Sequence, residues 1–283
     1  MHELTAPPDR SLALREPVER PLPLGERLAA IGALRKGLIL ALLAALWQAY
    51  AVWLDNPLIF PTFSETLRVL ITDTASGTLL LRAAFSLKVL LTGYVIGVVL
   101  AGLFTALAIR TRPGQDLLET LTAMFNPLPA IALLPLALMW FGLGNGSLIF
   151  VLVHSVLWPV ALNIHSGFKA VSPTLRMVGR NYDLRGLGFV AKILIPAAFP
   201  CILSGLKIGW AFAWRTLIAA ELVFGISSGS GGLGWYIYEN KNRLEISSVF
   251  AGLLMVILIG LLVENLVFRT IEARTLRRWG MHA

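Results

Sequence analysis

Four histidines, one cysteine and a few charges set inside apolar runs are the residues of this 283-residue chain with chemistry to offer. His2 and His282 are terminal. His154 and His165 are eleven positions apart, on one helix face but about 16 Å apart along the axis at ~1.5 Å per residue, too far to share a metal ion. Cys201 stands alone, which excludes an internal disulfide and a cysteine-rich metal site. No serine, histidine and acid with recognisable spacing offers nucleophilic catalysis. The glycine-rich run Ser228–Gly234 lacks the lysine and the following helix of a phosphate-binding loop, and reads as a tight re-entrant turn on the outer face. The expectation is a chain with no catalytic residue, no metal site and no cofactor of its own.

The charged residues inside apolar runs carry more information. A charge near the centre of a bilayer costs about 2.5–3.5 kcal/mol, so such groups face protein or water. Lys207, Trp214 and Glu221 recur every seven residues and form one stripe, while Arg215 is turned about 100° away on a helix of ~3.6 residues per turn. Lys207 either belongs to a lined path or reaches toward the membrane surface. Arg215 and Glu221 either touch a solute or form structural ion pairs, and Glu264 reads as structural. His154, Trp158 and His165 share another face, where pathway lining competes with an ordinary hydrogen-bonded core histidine. Asn126, Pro127, Pro129 and Pro135 interrupt a third run. Broken helix at membrane depth needs protein or a water-filled cavity to satisfy its freed backbone groups, so this stretch is a pathway candidate or a packing kink.

The elements that must position these residues are membrane helices. Hydrophobic residues make up 57% of the chain and charged ones 14%, against about 45–50% and ~25% in soluble domains; mean hydropathy is +0.75. The net charge of +8 is spread between apolar runs rather than on one basic face, which argues against nucleic acid. Runs near 38–54, 89–109, 121–140, 147–166, 199–222 and 249–268 are long enough to cross about 30 Å of hydrocarbon, predicting an all-α polytopic protein with six spans. Residues 28–35 and 63–72 read as interfacial helices. With both ends in the cytoplasm, seventeen of the 24 Lys and Arg fall on the inner side, as the positive-inside rule requires. Residues 1–37 form a proline-rich cytoplasmic tail, 38–268 the transmembrane domain and 269–283 a second cytoplasmic tail.

The inner segment 168–192 is polar enough to leave the membrane, yet spaces Leu175, Val178, Tyr182, Leu184, Leu187 and Val190 regularly. Ser172 is placed to cap a helix begun by Pro173, and Gly186 and Gly188 permit a bend. An amphipathic helix outside the bilayer suits docking in another protein's groove; a basic loop on anionic lipid fits equally well.

The run from Leu175 to Asp183, followed by Ile193-Leu194-Ile195-Pro196-Ala197-Ala198-Phe199-Pro200, resembles the EAA loop of binding-protein-dependent ABC importer permeases, in particular the nitrate, taurine and aliphatic-sulfonate permeases. The likeness covers about residues 38–279 and includes Asn126-Pro127-Leu128-Pro129, Trp140-Phe141-Gly142-Leu143-Gly144, Ala219-Ala220-Glu221 and Gly231-Gly232-Leu233-Gly234-Trp235. The chain departs from the family in the loop itself: Met177-Val178-Gly179 stands where the family has Glu-Ala-Ala, and Asp183 where it has Gly.

The resemblance implies a type I importer permease in a bacterial inner membrane, working as a homodimer. It implies two ATPase subunits that hold ATP and magnesium, and a periplasmic or lipid-anchored solute-binding protein that delivers a small solute. Lys207 and Arg215 suit an anion such as nitrate, taurine or a sulfonate. Arg176, Met177, Val178, Gly179, Arg180, Tyr182, Asp183, Leu184 and Gly186 fall at the coupling helix that docks on the ATPase, with Gly179 expected at the closest approach. A stand-alone secondary carrier or channel is the rival reading, but no convincing inverted repeat is present.

Overall fold

The computed structural model describes residues 32–224 and 231–275. Residues 1–31 and 276–283, and with them most of the expected tails and half of the expected 28–35 helix, lie outside the described residues; 32–37 are part of the first helix and 269–274 are helical. Every regular element among those described is helical: α1 (Gly32–Leu54), α2 (Phe63–Ala75), α3 (Thr78–Ala108), α4 (Arg112–Phe125), α5 (Leu134–Phe141), α6 (Asn145–Ala170), α7 (Pro173–Asn181), α8 (Gly186–Phe189), α9 (Ile195–Phe224), α10 (Leu233–Asn242), α11 (Ile246–Leu262) and α12 (Arg269–Arg274). A π-helical turn at Val190–Leu194 joins α8 to α9, and another at Val263–Phe268 joins α11 to α12. Five continuous stretches are long and apolar enough to span a membrane.

The sixth expected span is a bent pair rather than one helix. α4 and the stretch Ala130–Phe141 that ends in α5 meet at 88° across Asn126–Pro129, because Pro127 and Pro129 remove two N–H donors and their rings clash with a continued helix. Pro135 breaks nothing: it sits in the first turn of α5, where its missing N–H has no helical partner to lose. The second span also differs from expectation. It begins at Thr78, so Arg82 and Lys88, read from the sequence as loop residues, are helical. Gly77 (φ 84°) makes the turn, and the Arg82 guanidinium finds protein partners, donating to the Gly231 carbonyl (2.9 Å) and pairing with Glu239 (3.3 Å).

Helix α6 is the centre of the fold, packed between α3 and α9. Glycines set both contacts. A methyl group on Gly93 of α3 would lie 2.6 Å from Leu152 Cβ, and one on Gly205 of α9 would lie 2.6 Å from Asn163 Cβ. Water does not drive helices together in lipid, so close van der Waals approach of this kind holds such bundles. Tyr94 adds a bridge, its hydroxyl donating to the Leu206 carbonyl at 2.9 Å. At the periphery, a capping box between Thr62 and Glu65 starts α2. Trp47 of α1 packs edge-on against Phe63 and donates to the Pro61 carbonyl at 2.9 Å.

Candidate functional site

The bend after α4 opens a cavity of about 340 Å³ against α6 and α9. Asn126, Pro127, Pro129, His154, Trp158 and Arg215 all line it, so six of the ten pathway candidates meet in one place. Phe125 stacks on Trp158 (5.0 Å, 21°) and lies edge-on to His154. The Arg215 guanidinium sits 5.1 Å from the Phe212 ring, its Nε donating to the Ala211 carbonyl. Pro159, which the sequence reading passed over, also lines the wall beside Ser155. Without an N–H, Pro159 leaves the Ser155 carbonyl without its helical partner; a proline inside an otherwise unbroken helical run was the available signal.

Two further cavities continue from this one. A second, of about 480 Å³, shares Asn126 and Pro127 with the first and reaches Thr122, Ser166, His165 and Lys169. The third, of about 420 Å³, shares His165 and Lys169 with the second and ends against α7 and α8. Buried side-chain polar atoms without a partner mark the route. Among the described residues these are both ring nitrogens of His154, Trp158 Nε1, Thr122 Oγ1 and His165 Nδ1, and all five line the first or second cavity. Each such stranded group costs about 1–3 kcal/mol, so the fold carries an expense that an occupant of the cavities would relieve. His165 keeps one contact, its Nε2 lying 3.0 Å from Glu119, which Lys169 also pairs with. Glu119 and Thr122 did not stand out in the sequence, because only the packing of α4 on α6 brings them to His165, whereas Lys169 lies one turn beyond His165 on α6 itself.

The stripe of Lys207, Trp214 and Glu221 stays outside these cavities. Lys207 pairs with Glu272 (2.9 Å) and Glu264 (3.7 Å), and Trp214 is buried in the core. Glu221 is 3% exposed and takes donors from across the fold. Its carboxyl accepts the Ser86 hydroxyl (2.8 Å) and the Gly234 N–H (2.7 Å), while Ser86 Oγ accepts the Leu233 N–H (2.9 Å). Helix α10 is thus capped in trans by residues of α3 and α9, a structural role at a position read as a pathway candidate. Tyr236 fastens the same helix to α2, its hydroxyl donating to Asp73 at 2.5 Å. Burial first, and then the hydrogen bond to Asp73, hold that hydroxyl above the usual phenol range, so it remains a donor.

The profile of the family described as "Binding-protein-dependent transport system inner membrane component" matches residues 93–276. This chain belongs to that family. A relative in Methanocaldococcus jannaschii is 31% identical over 229 residues, covering 80% of this chain and 85% of its own length. The taurine transport system permease of Escherichia coli is 28% identical over 244 residues (84% and 86%). The nitrate import permease of a Synechocystis strain is 32% identical over 152 residues (54% of each chain). The protein is an ABC importer permease of the taurine, sulfonate and nitrate group, with the type I importer fold, in an inner membrane it crosses several times.

In the permease, the segment corresponding to the EAA loop is a helix, a turn and a second helix, not one helix from Ser172 to Val190. Ser172 caps α7 by accepting the Leu175 N–H, and α7 ends at Asn181. The chain reverses at Asp183 (φ 52°). A residue there must tolerate the left-handed region, which aspartate does and glycine does best; this accounts for the exchange of the family's Gly for Asp. Gly186 (φ 54°) starts the next helix.

The two faces of α7 have different tasks. Met177, Val178 and Tyr182 are exposed, and Leu184 is half-buried. Arg176 turns inward to donate to the carbonyls of Phe168 (2.5 Å) and Val171 (3.2 Å), closing the end of α6. Gly179 also faces inward: a methyl group on it would lie 2.7 Å from Phe189 and 2.9 Å from Ile193. The expectation that Gly179 sits at an outer docking surface is therefore corrected. Its small size serves packing within the chain.

Proposed function

We propose that the three linked cavities are this subunit's share of the translocation path for a small anionic solute. The line of five stranded buried polar atoms is the observation that carries this reading. His154, Trp158 and Arg215 offer donors in an apolar, aromatic surround, which suits an anion such as taurine, a sulfonate or nitrate. A second copy of the permease completes the path. ATP and magnesium are bound by two ATPase subunits, against which the exposed face of α7 (Met177, Val178, Tyr182) docks. A solute-binding protein delivers the solute at the opposite end of the bundle, and both termini are cytoplasmic.

The test is uptake by vesicles holding the permease with its ATPase and binding protein. Uptake should require all three, and His154→Phe with Arg215→Gln should abolish it while ATPase still co-purifies. Uptake by the permease alone, or normal uptake by the double variant, overturns the reading. Reporter fusions at Ala283 and Asn240 should report inside and outside respectively; the reverse pattern overturns the topology.

A further inference from the structure

The third cavity differs in chemistry from the other two. Arg110, Lys169, Arg176 and Arg180 line it together with Gln115 and His165, and no acidic side chain does. The nearest carboxylate, Glu119, lines the neighbouring cavity and is held by Lys169 and His165. His165 is 5% exposed, and its Nδ1 has no partner. These residues come from four parts of the chain: the turn after α3, the start of α4, the end of α6 and α7. Positive-inside topology explains why cations lie at this end of the bundle. It does not explain why they enclose a cavity of about 420 Å³, several times the volume of one water (~30 Å³).

Guanidinium forks match the planar edges of phosphoryl and sulfo groups, and three of the four cations are arginines. We infer that this cavity is a binding site for a phosphoryl- or sulfo-type oxyanion, and that its occupant clamps α7 to the bundle. The clamp follows from the position of Arg176 and Arg180 on α7 facing Arg110 and Lys169 at the ends of the membrane helices. An oxyanion between them replaces mutual repulsion with shared charge-assisted hydrogen bonds and opposes movement of α7 away from α6. The cavity is the inner end of the path proposed above, but the clamp does not depend on transport through it: it requires only that the cavity and α7 are arranged as described. The oxyanion is either a soluble species or a lipid headgroup, and the two are separable.

The experiment is backbone hydrogen exchange of Pro173–Asn181 in the full-length permease, held in nanodiscs of phosphatidylcholine. Inorganic phosphate, titrated against chloride at equal ionic strength, should slow exchange there roughly tenfold at ten times half-saturation. A parallel sample in nanodiscs containing phosphatidylglycerol, without phosphate, tests the headgroup. Protection by phosphate assigns a soluble oxyanion, and protection only by the anionic lipid assigns a headgroup; either supports the site. Arg110→Gln combined with Arg180→Gln should remove the protection, whereas Arg185→Gln, on an exposed residue paired with Asp183 at 2.9 Å, should keep it. Protection from neither source, equal protection by chloride, or protection that survives the double variant overturns the inference.

Discussion

Replacing Glu221 separates a structural latch from a solute contact. Its carboxyl accepts one hydroxyl and one backbone N–H, at 2.8 and 2.7 Å, in a site 3% exposed. Glu221→Ala strands the Ser86 hydroxyl and the Gly234 N–H, and each stranded donor costs about 1–3 kcal/mol. The loss is then about 2–6 kcal/mol, concentrated at the start of α10. Glu221→Gln keeps one carbonyl acceptor, and its amide can donate to Ser86 Oγ, so about 1–2 kcal/mol is expected. Hydrogen exchange reads this locally, because amides of a loosened element open without global unfolding. At ~1.4 kcal/mol per decade, the alanine variant should speed exchange at Leu233 and Gly234 more than about tenfold, and the glutamine variant by less. The order of defects in uptake should follow the order of defects in exchange. If both variants lose uptake while exchange and thermal stability match the parent, Glu221 touches solute and the latch is wrong.

Three other substitutions bear on the same assignments. Gly179→Ala should destabilise the permease by about 1–3 kcal/mol through overpacking against Phe189 and Ile193; a parental unfolding midpoint would return Gly179 to the outer surface. His154→Phe removes two stranded nitrogens, so thermal stability should hold or rise while uptake falls; a large loss of stability would show that the ring is structurally bonded. Lys207→Met breaks a partly exposed pair with Glu272, worth at most about 1 kcal/mol, and should leave uptake intact; lost uptake at normal stability would place Lys207 on the path.

Periodicity and charge made most of the architecture legible. α1, α6, α9 and α11 fall where apolar runs of the right length predicted them, and Ser172 with Pro173 marked the start of α7 from local chemistry alone. What could not be read depends on partners remote in the chain. Arg82 and Lys88 looked like loop residues because the Gly231 carbonyl that accommodates Arg82 is 149 positions away. The stripe of Lys207, Trp214 and Glu221 was a correct helical geometry with the wrong neighbours: periodicity says which residues share a face, not what the face meets. For the candidate site, the prolines and Asn126 signalled broken helix, and His154 and Trp158 signalled polarity in an apolar run. That these converge follows from the 88° bend, whose direction the sequence does not encode locally, and His165 meets Glu119 through the packing of α4 on α6.

The contrast between α1 and α6 has a consequence for biosynthesis. The apolar stretch of α1 is only 6% buried by the rest of the chain, whereas that of α6 is 61% buried. α1 leaves the ribosome before the other described helices and must be stable in lipid on its own; its aromatic contact between Trp47 and Phe250 forms only after α11 has been made. α6 cannot wait so long. With His154, Asn163 and His165 on its surface and its glycine-matched partner α9 still unsynthesised, it would enter the bilayer with polar groups facing acyl chains. Helices α3, α4 and α5, already made, pack against it and can shelter it. The order of the helices along the gene thus doubles as an assembly schedule, in which the self-sufficient anchor comes first and the dependent hub is inserted between a waiting half and a completing half.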